Sequence, residues 1–170
     1  MIINRAALTI ALFLLAAVSH GQNTVSPYSV PKILTVMKWP APDLVLLSAH
    51  RASWQNYPEN SLLAVIDVFN RGIETLEVDA RMTNDGHVVI SHDYTLDRIS
   101  TGTGLLYNKT WAQVQTYELR DRLGYVYHDS SGNPQRFLDF YDLMLILQGR
   151  SDAAVHGYVV IVDIKGGTDP

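Results

Sequence analysis

Seven residues of this 170-residue chain have the types and spacing that phosphate chemistry uses: His50 beside Arg51, Glu77 two before Asp79, His92, and Asp163 two before Lys165. Three carboxylates offer oxygen ligands to a hard divalent cation. Arg51 and Lys165 can offset the charge of a phosphate. Two histidines can exchange acid and base roles near neutral pH. With a cation stabilising charge on phosphoryl oxygens, the combination suits phosphodiester cleavage. Each residue alone has a plainer explanation. A strand-end histidine is usually structural or exposed, Glu77 and Asp79 could line a solvated edge, and Lys165 with Asp163 could be a simple ion pair. Asp93, after His92, could merely cap the loop that follows. Convergence of the whole set on one rim is what favours a site.

Strands must do the converging. Residues 43–49 contain Leu44-Val45-Leu46-Leu47 and read as a first strand buried on both faces. Residues 73–79, 87–91 and 158–164 read as strands two to four. Side chains two apart share a face, which groups Thr75, Glu77 and Asp79, pairs Asp163 with Lys165, Ser48 with His50, and Ile90 with His92. A helix is expected from Glu59 or Asn60, with apolar Leu62, Leu63, Val65, Ile66 and Phe69, stopping at Arg71-Gly72 where glycine suits a C-cap. A short helix should start from Thr110 as N-cap and reach Leu119, and a longer one should occupy residues 137–147. Alternating strands and helices with apolar strands indicate a parallel α/β fold, whose sites form at the C-terminal strand ends.

The connection between strands two and three is too short for a crossover helix. Asn84-Asp85-Gly86 would ordinarily close a hairpin. A hairpin would carry His92 to the end opposite Glu77 and Asp79, so residues 80–87 are expected instead to run back before a parallel third strand.

Composition narrows the rest. With 47% hydrophobic and 18% charged residues the chain is ordinary globular material for one domain. A net charge of −4 offers no basic surface for nucleic acid. Without cysteine there is no disulfide scaffold, thiolate zinc site or cysteine nucleophile. Residues 1–21 read as a signal peptide: Arg5, an apolar run over 6–18, then small residues suited to cleavage. The run is short of the roughly 20 residues a bilayer span needs, so no stable membrane span is expected, an uncleaved anchor being the alternative. Secretion, to the periplasm or outside the cell, follows. Residues 22–42, polar and carrying Pro27, Pro31, Pro40 and Pro42, read as a lead-in, and residues 43–170 as the catalytic domain. Asn108-Lys109-Thr110 is a glycosylation sequon if the host is eukaryotic.

The ordered motifs resemble those of the glycerophosphodiester phosphodiesterases. That family shows His-Arg-Gly at a strand end, Pro-Glu-Asn-Thr opening a helix, Glu-x-Asp, Thr-x-Asp-Gly, His-Asp and acidic-x-Lys. Here stand His50-Arg51, Pro58-Glu59-Asn60-Ser61, Glu77-Val78-Asp79, Thr83-Asn84-Asp85-Gly86, His92-Asp93 and Asp163-Ile164-Lys165, in the same order. The resemblance implies a TIM-type (β/α)8 barrel of which residues 43–170 hold only the first half, with open edges that self-association could close. It implies hydrolysis of a small glycerophosphodiester or phospholipid-derived substrate to glycerol 3-phosphate and an alcohol, through a cyclic phosphate that water opens. His50 and His92 would be the acid/base pair, Glu77, Asp79 and Asp163 the ligands of Mg2+ or Ca2+, and Arg51 and Lys165 the phosphate binders. Ala52 departs from the family's glycine, and Asp163 from its usual glutamate. A sphingomyelinase D-like phospholipase shares part of this pattern, and a non-catalytic homologue is the remaining alternative.

Overall fold

The computed structural model describes residues 30–39, 45–73, 75–150 and 158–166. The expected signal peptide lies outside the described residues, as do residues 22–29 and 40–44. Where a lead-in was expected, Val30–Lys38 forms helix α1. Pro31 is tolerated in its first turn, where an N–H has no intrahelical partner anyway. Ile33 is fully buried and anchors the helix.

Strand β1 is only Ser48–Ala49, followed by helix α2 (Leu62–Asn70) and strand β2 (Thr75–Met82). Strand β3 (Val88–Ile90), a 3-10 turn at Leu106–Asn108, helix α3 (Trp111–Val114), helix α4 (Phe140–Arg150) and strand β4 (Val159–Ile164) complete the order. Strand β2 is the centre. It pairs in parallel with β1 (Ser48 with Thr75, Ala49 with Leu76) and with β4 from Thr75 opposite Val159 to Ala80 opposite Ile164. These three strands form the parallel α/β arc, with α4 in the crossover from β2 to β4.

Three expectations need correcting. Strand three is antiparallel: Ala80 faces Ile90, Arg81 faces Val89 and Met82 faces Val88, closed by a turn in which Gly86 adopts φ +83°. Ala80 pairs with both Ile90 and Ile164, and Thr75 with both Ser48 and Val159. Hence β1 and β3 follow one another along the same edge of β2, and β4 takes the other. Secondly, β1 does not extend back over residues 45–47, since its partner begins only at Thr75. Val45 and Leu47 are instead 78% and 60% exposed. Thirdly, the strands are not uniformly covered. Thr75, Leu76, Val78, Asp79 and Ala80 of β2 are buried, while Ile164 of β4 is 82% exposed.

Helix α2 starts one residue after Ser61, whose side chain accepts from the Ala64 N–H, an N-cap that satisfies an otherwise orphan donor. It ends with Gly72 at φ +69°, its N–H on the Phe69 carbonyl, as the sequence suggested. Its buried Ala64, Val65, Val68 and Phe69 pack with Leu76 and Val78 of β2, Ile90 of β3, and Leu143 of α4. Fully burying such a side chain stabilises by about 1.5–3 kcal/mol, so this seam fixes the helix on the sheet. The neighbouring Val89 points the other way and joins a second core with Leu96, Ile99, Leu106, Val114, Leu119 and Phe137. That second core belongs to residues 93–138, an arm tied by isolated bridges such as Ser100 with Leu119 and Arg120 with Val126. Thr110 caps α3 in a full capping box with Gln113, but the helix stops at Val114 rather than Leu119, and α4 begins at Phe140 rather than residue 137.

Candidate active site

The turn leaving β1 is built from backbone conformations that side-chain-bearing residues avoid. Arg51 has φ +52° and Ala52 φ +60°, a left-handed region that costs about 1–2 kcal/mol per L-residue. Glu77 holds the turn there: its carboxylate accepts the Arg51 N–H at 2.8 Å and its carbonyl the Ala52 N–H at 3.3 Å. Asn60, itself at φ +58°, donates its N–H to the Arg51 carbonyl at 3.0 Å. Ala52 therefore takes a conformation that glycine adopts freely, and its methyl is buried in the α2–β2 core.

Asp79 is the buried centre of the rim. Asn60 Nδ2 donates to Oδ2 at 3.0 Å, Arg51 Nε stands 3.6 Å from the same oxygen, and Lys165 Nζ lies 3.1 Å from Oδ1. Lys165 also reaches Asp163 at 2.5 Å. This bond holds the Asp163 carboxyl below the usual carboxylate range and raises the Lys165 ammonium above its own. Glu77, half-buried, joins these two acids: one ligand oxygen from each of Glu77, Asp79 and Asp163 lies within 4.8 Å of the others. Oxygens around a cation bound at 2.0–2.6 Å can be separated by up to about 5 Å, so the three fit a hard divalent ion. Arg51 Nε is buried without a hydrogen-bond partner, an unused donor at the edge of the acidic group.

His92 reaches the same rim by the hairpin. β2 continues three residues past Asp79 before it turns, so the return brings the Ser91 N–H onto the Asp79 carbonyl at 2.9 Å. The His92 carbonyl accepts from Arg81 Nε at 2.8 Å, and Arg81 Nη1 donates to Gly166 at 2.6 Å, tying the end of β3 to the end of β4. The His92 ring places Nδ1 2.9 Å from Asp93 Oδ1. Burial pushes the Asp93 carboxyl up, but hydrogen bonds from Arg98 and His92 outweigh it and hold the group below the usual carboxylate range.

The structure thus brings together Arg51, Glu77, Asp79, His92, Asp163 and Lys165. It does not bring His50 to them by any bond. That imidazole is exposed, makes no hydrogen bond or ion pair among the described residues, and lines a groove of about 220 Å³ with Trp54, Val68, Arg71 and Ile73. The Thr83-Asn84-Asp85-Gly86 motif lies at the hairpin tip, not at the acids; Asp85 there accepts the Trp111 N–H at 2.9 Å and docks the arm. Sequence reasoning passed over Asn60, Arg81 and Arg98. Asn60 stood inside a quoted motif, whereas Arg81 and Arg98 carry no spacing signal, because their partners are distant in the chain.

The profile of the glycerophosphoryl diester phosphodiesterase family matches residues 50–150, more than half of the sequence. The chain belongs to this family. Its relatives include the uncharacterized protein y4eD of Sinorhizobium fredii, 50% identical over 147 residues, 85% of this chain and 39% of that protein. Among solved structures, a glycerophosphoryl diester phosphodiesterase from Parabacteroides distasonis superposes with a TM-score of 0.63 at 26% identity, covering 86% of this chain and 47% of that one. An Oleispira antarctica phosphodiesterase, solved in complex with the product sn-glycerol-3-phosphate, matches with a TM-score of 0.58 at 24% identity over 72% of this chain and 45% of that one. These family members are TIM barrels, and the three parallel strands here correspond to part of one. The chain spans less than half the length of the curated relatives it matches.

Proposed function

We infer that the chain carries the catalytic rim of an enzyme that hydrolyses glycerophosphodiesters to glycerol 3-phosphate and an alcohol with the help of Mg2+ or Ca2+. One observation carries this reading: the Glu77, Asp79 and Asp163 oxygens gathered within 4.8 Å, beside a buried arginine nitrogen that makes no hydrogen bond. A cation bound there would stabilise charge building on the phosphoryl oxygens. Arg51 and Lys165, both beside Asp79, hold the phosphate. One histidine takes the proton of the substrate's glycerol hydroxyl as that oxygen bonds to phosphorus, and the other protonates the departing alcohol oxygen. Water then opens the cyclic phosphate with the roles reversed. His92, with Nδ1 on Asp93, offers Nε2 for this work, and His50, exposed at the end of β1, is the other histidine of the pair. The apolar run at residues 6–18 supports action outside the cytoplasm, after export.

The test supplies the protein, as its host makes it, with glycerophosphocholine. Glycerol 3-phosphate should appear, stop on chelation and resume on adding Mg2+ or Ca2+. Turnover of sphingomyelin but not glycerophosphocholine would overturn the assignment in favour of a sphingomyelinase D-like enzyme.

A further inference from the structure

Arg98 is 53% exposed, yet four of its five N–H donors are committed to two carboxylates. Nε donates to Asp93 Oδ2 at 2.6 Å and Nη2 to Oδ1 at 2.9 Å, while Nη1 and Nη2 donate to Glu59 Oε2 and Oε1 at 3.0 and 2.7 Å. Its two carboxylate partners are only 14% and 19% exposed, and a bidentate network of this kind can contribute to stability where an isolated surface pair contributes little. It also fixes geometry. A fork gripping both oxygens sets the plane of the Asp93 carboxylate, and Oδ1 in that plane is the atom that meets His92 Nδ1 at 2.9 Å. The carboxylate accepts, so Nδ1 carries the hydrogen and Nε2 keeps its lone pair. The other side of the fork is anchored at Glu59, which precedes the N-cap of α2 and also accepts from Arg51 Nη1 at 3.3 Å.

We propose that Arg98 is the positioning residue of His92, acting through Asp93 to set the tautomer and orientation of the imidazole from an anchor on Glu59. The inference rests on the acid/base role given to His92 above. Lysine cannot replace it fully, because an ammonium is a point donor rather than a fork.

Two-bond ¹H–¹⁵N spectra of the imidazoles read the tautomer without any turnover. In the unsubstituted protein neutral His92 should be the Nδ1–H form; Arg98→Ala should give a mixture, and Arg98→Lys an intermediate. On glycerophosphocholine, Arg98→Ala should lower kcat about 10- to 100-fold, in the range seen when second partners of active groups are lost, and adding it to Asp93→Asn should cost little more. An unchanged His92 tautomer in Arg98→Ala overturns the proposal, as do Arg98→Ala and Asp93→Asn losses that multiply. Absence of turnover in the unsubstituted protein would count against the proposed reaction, and the tautomer would then decide the positioning role alone.

Discussion

The turn after β1 and the segment after β3 each deliver a histidine, but by opposite means. The first spends its order on the backbone: Arg51 and Ala52 are held at positive φ by Glu77, while the His50 ring is left exposed and unpartnered among the described residues. The second has ordinary backbone and an ordered side chain, with His92 fixed through its ring to Asp93 and through its carbonyl to Arg81. In the proposed reaction, the contrast pairs one histidine held by its ring with one that is not. Of the acids between them, Glu77 and Asp79 sit on the central strand β2, and Asp163 stands opposite Asp79 on β4.

Replacing the histidines gives the largest effect. His92→Ala and His50→Ala should each lower kcat about 10²- to 10⁴-fold, whereas denaturant midpoints should move only for His92→Ala, since exposed positions without partners change stability by under about 0.5 kcal/mol. Full turnover by His50→Ala would break the comparison and leave only the tethered histidine in the chemistry.

Acid should act on the tethered side. Asp93 has a folded pKa below its unfolded value, which is near 3.9. Its contribution to stability is then fully present above that unfolded value and is lost as pH falls through the lower folded one. Thermal melts between pH 5 and pH 2 should therefore drop more steeply for the native chain than for Asp93→Asn. Equal slopes would mean that the Arg98–Asp93–His92 tether does not persist in solution.

Ala52→Gly should change least. Glycine relieves a left-handed residue of about 1 kcal/mol but gives up a buried methyl worth about 0.8 kcal/mol and gains entropy in the unfolded chain. A net shift within about 1 kcal/mol is expected from urea titration. A loss of more than about 2 kcal/mol would show that methyl packing, not backbone conformation, dominates the turn.

The acids were legible because alternation along a strand is local geometry. Glu77 and Asp79 had to share a face, as did Asp163 and Lys165, whatever the strands paired with. The caps at Thr110 and Gly72 were legible for the same reason, whereas helix α2 starts at Leu62, two or three residues after the expected Glu59 or Asn60. The hairpin was misread because Asp79 was taken as the end of its strand. Three further residues, through Met82, let an antiparallel return come back to Asp79 instead of passing it. The first strand was read too long because its apolar residues were legible while the start of its partner was not. Arg81 and Arg98 depend on loop folding across the chain, and no periodicity announces that.

The β2–β3 hairpin also works as a length gauge. Outward from Asp79 to the tip and back to Ser91, the residue count alone decides which side chain arrives beside the acids. One residue inserted or deleted between Asp79 and His92 would present a neighbour in place of the histidine and turn successive side chains to the wrong face. Beyond Arg98 no such count operates, since the arm has its own core and rejoins the fold at α4. The arm past Arg98 is thus open to changes of length, while the dozen residues before Asp93 are open to substitution but closed to insertion.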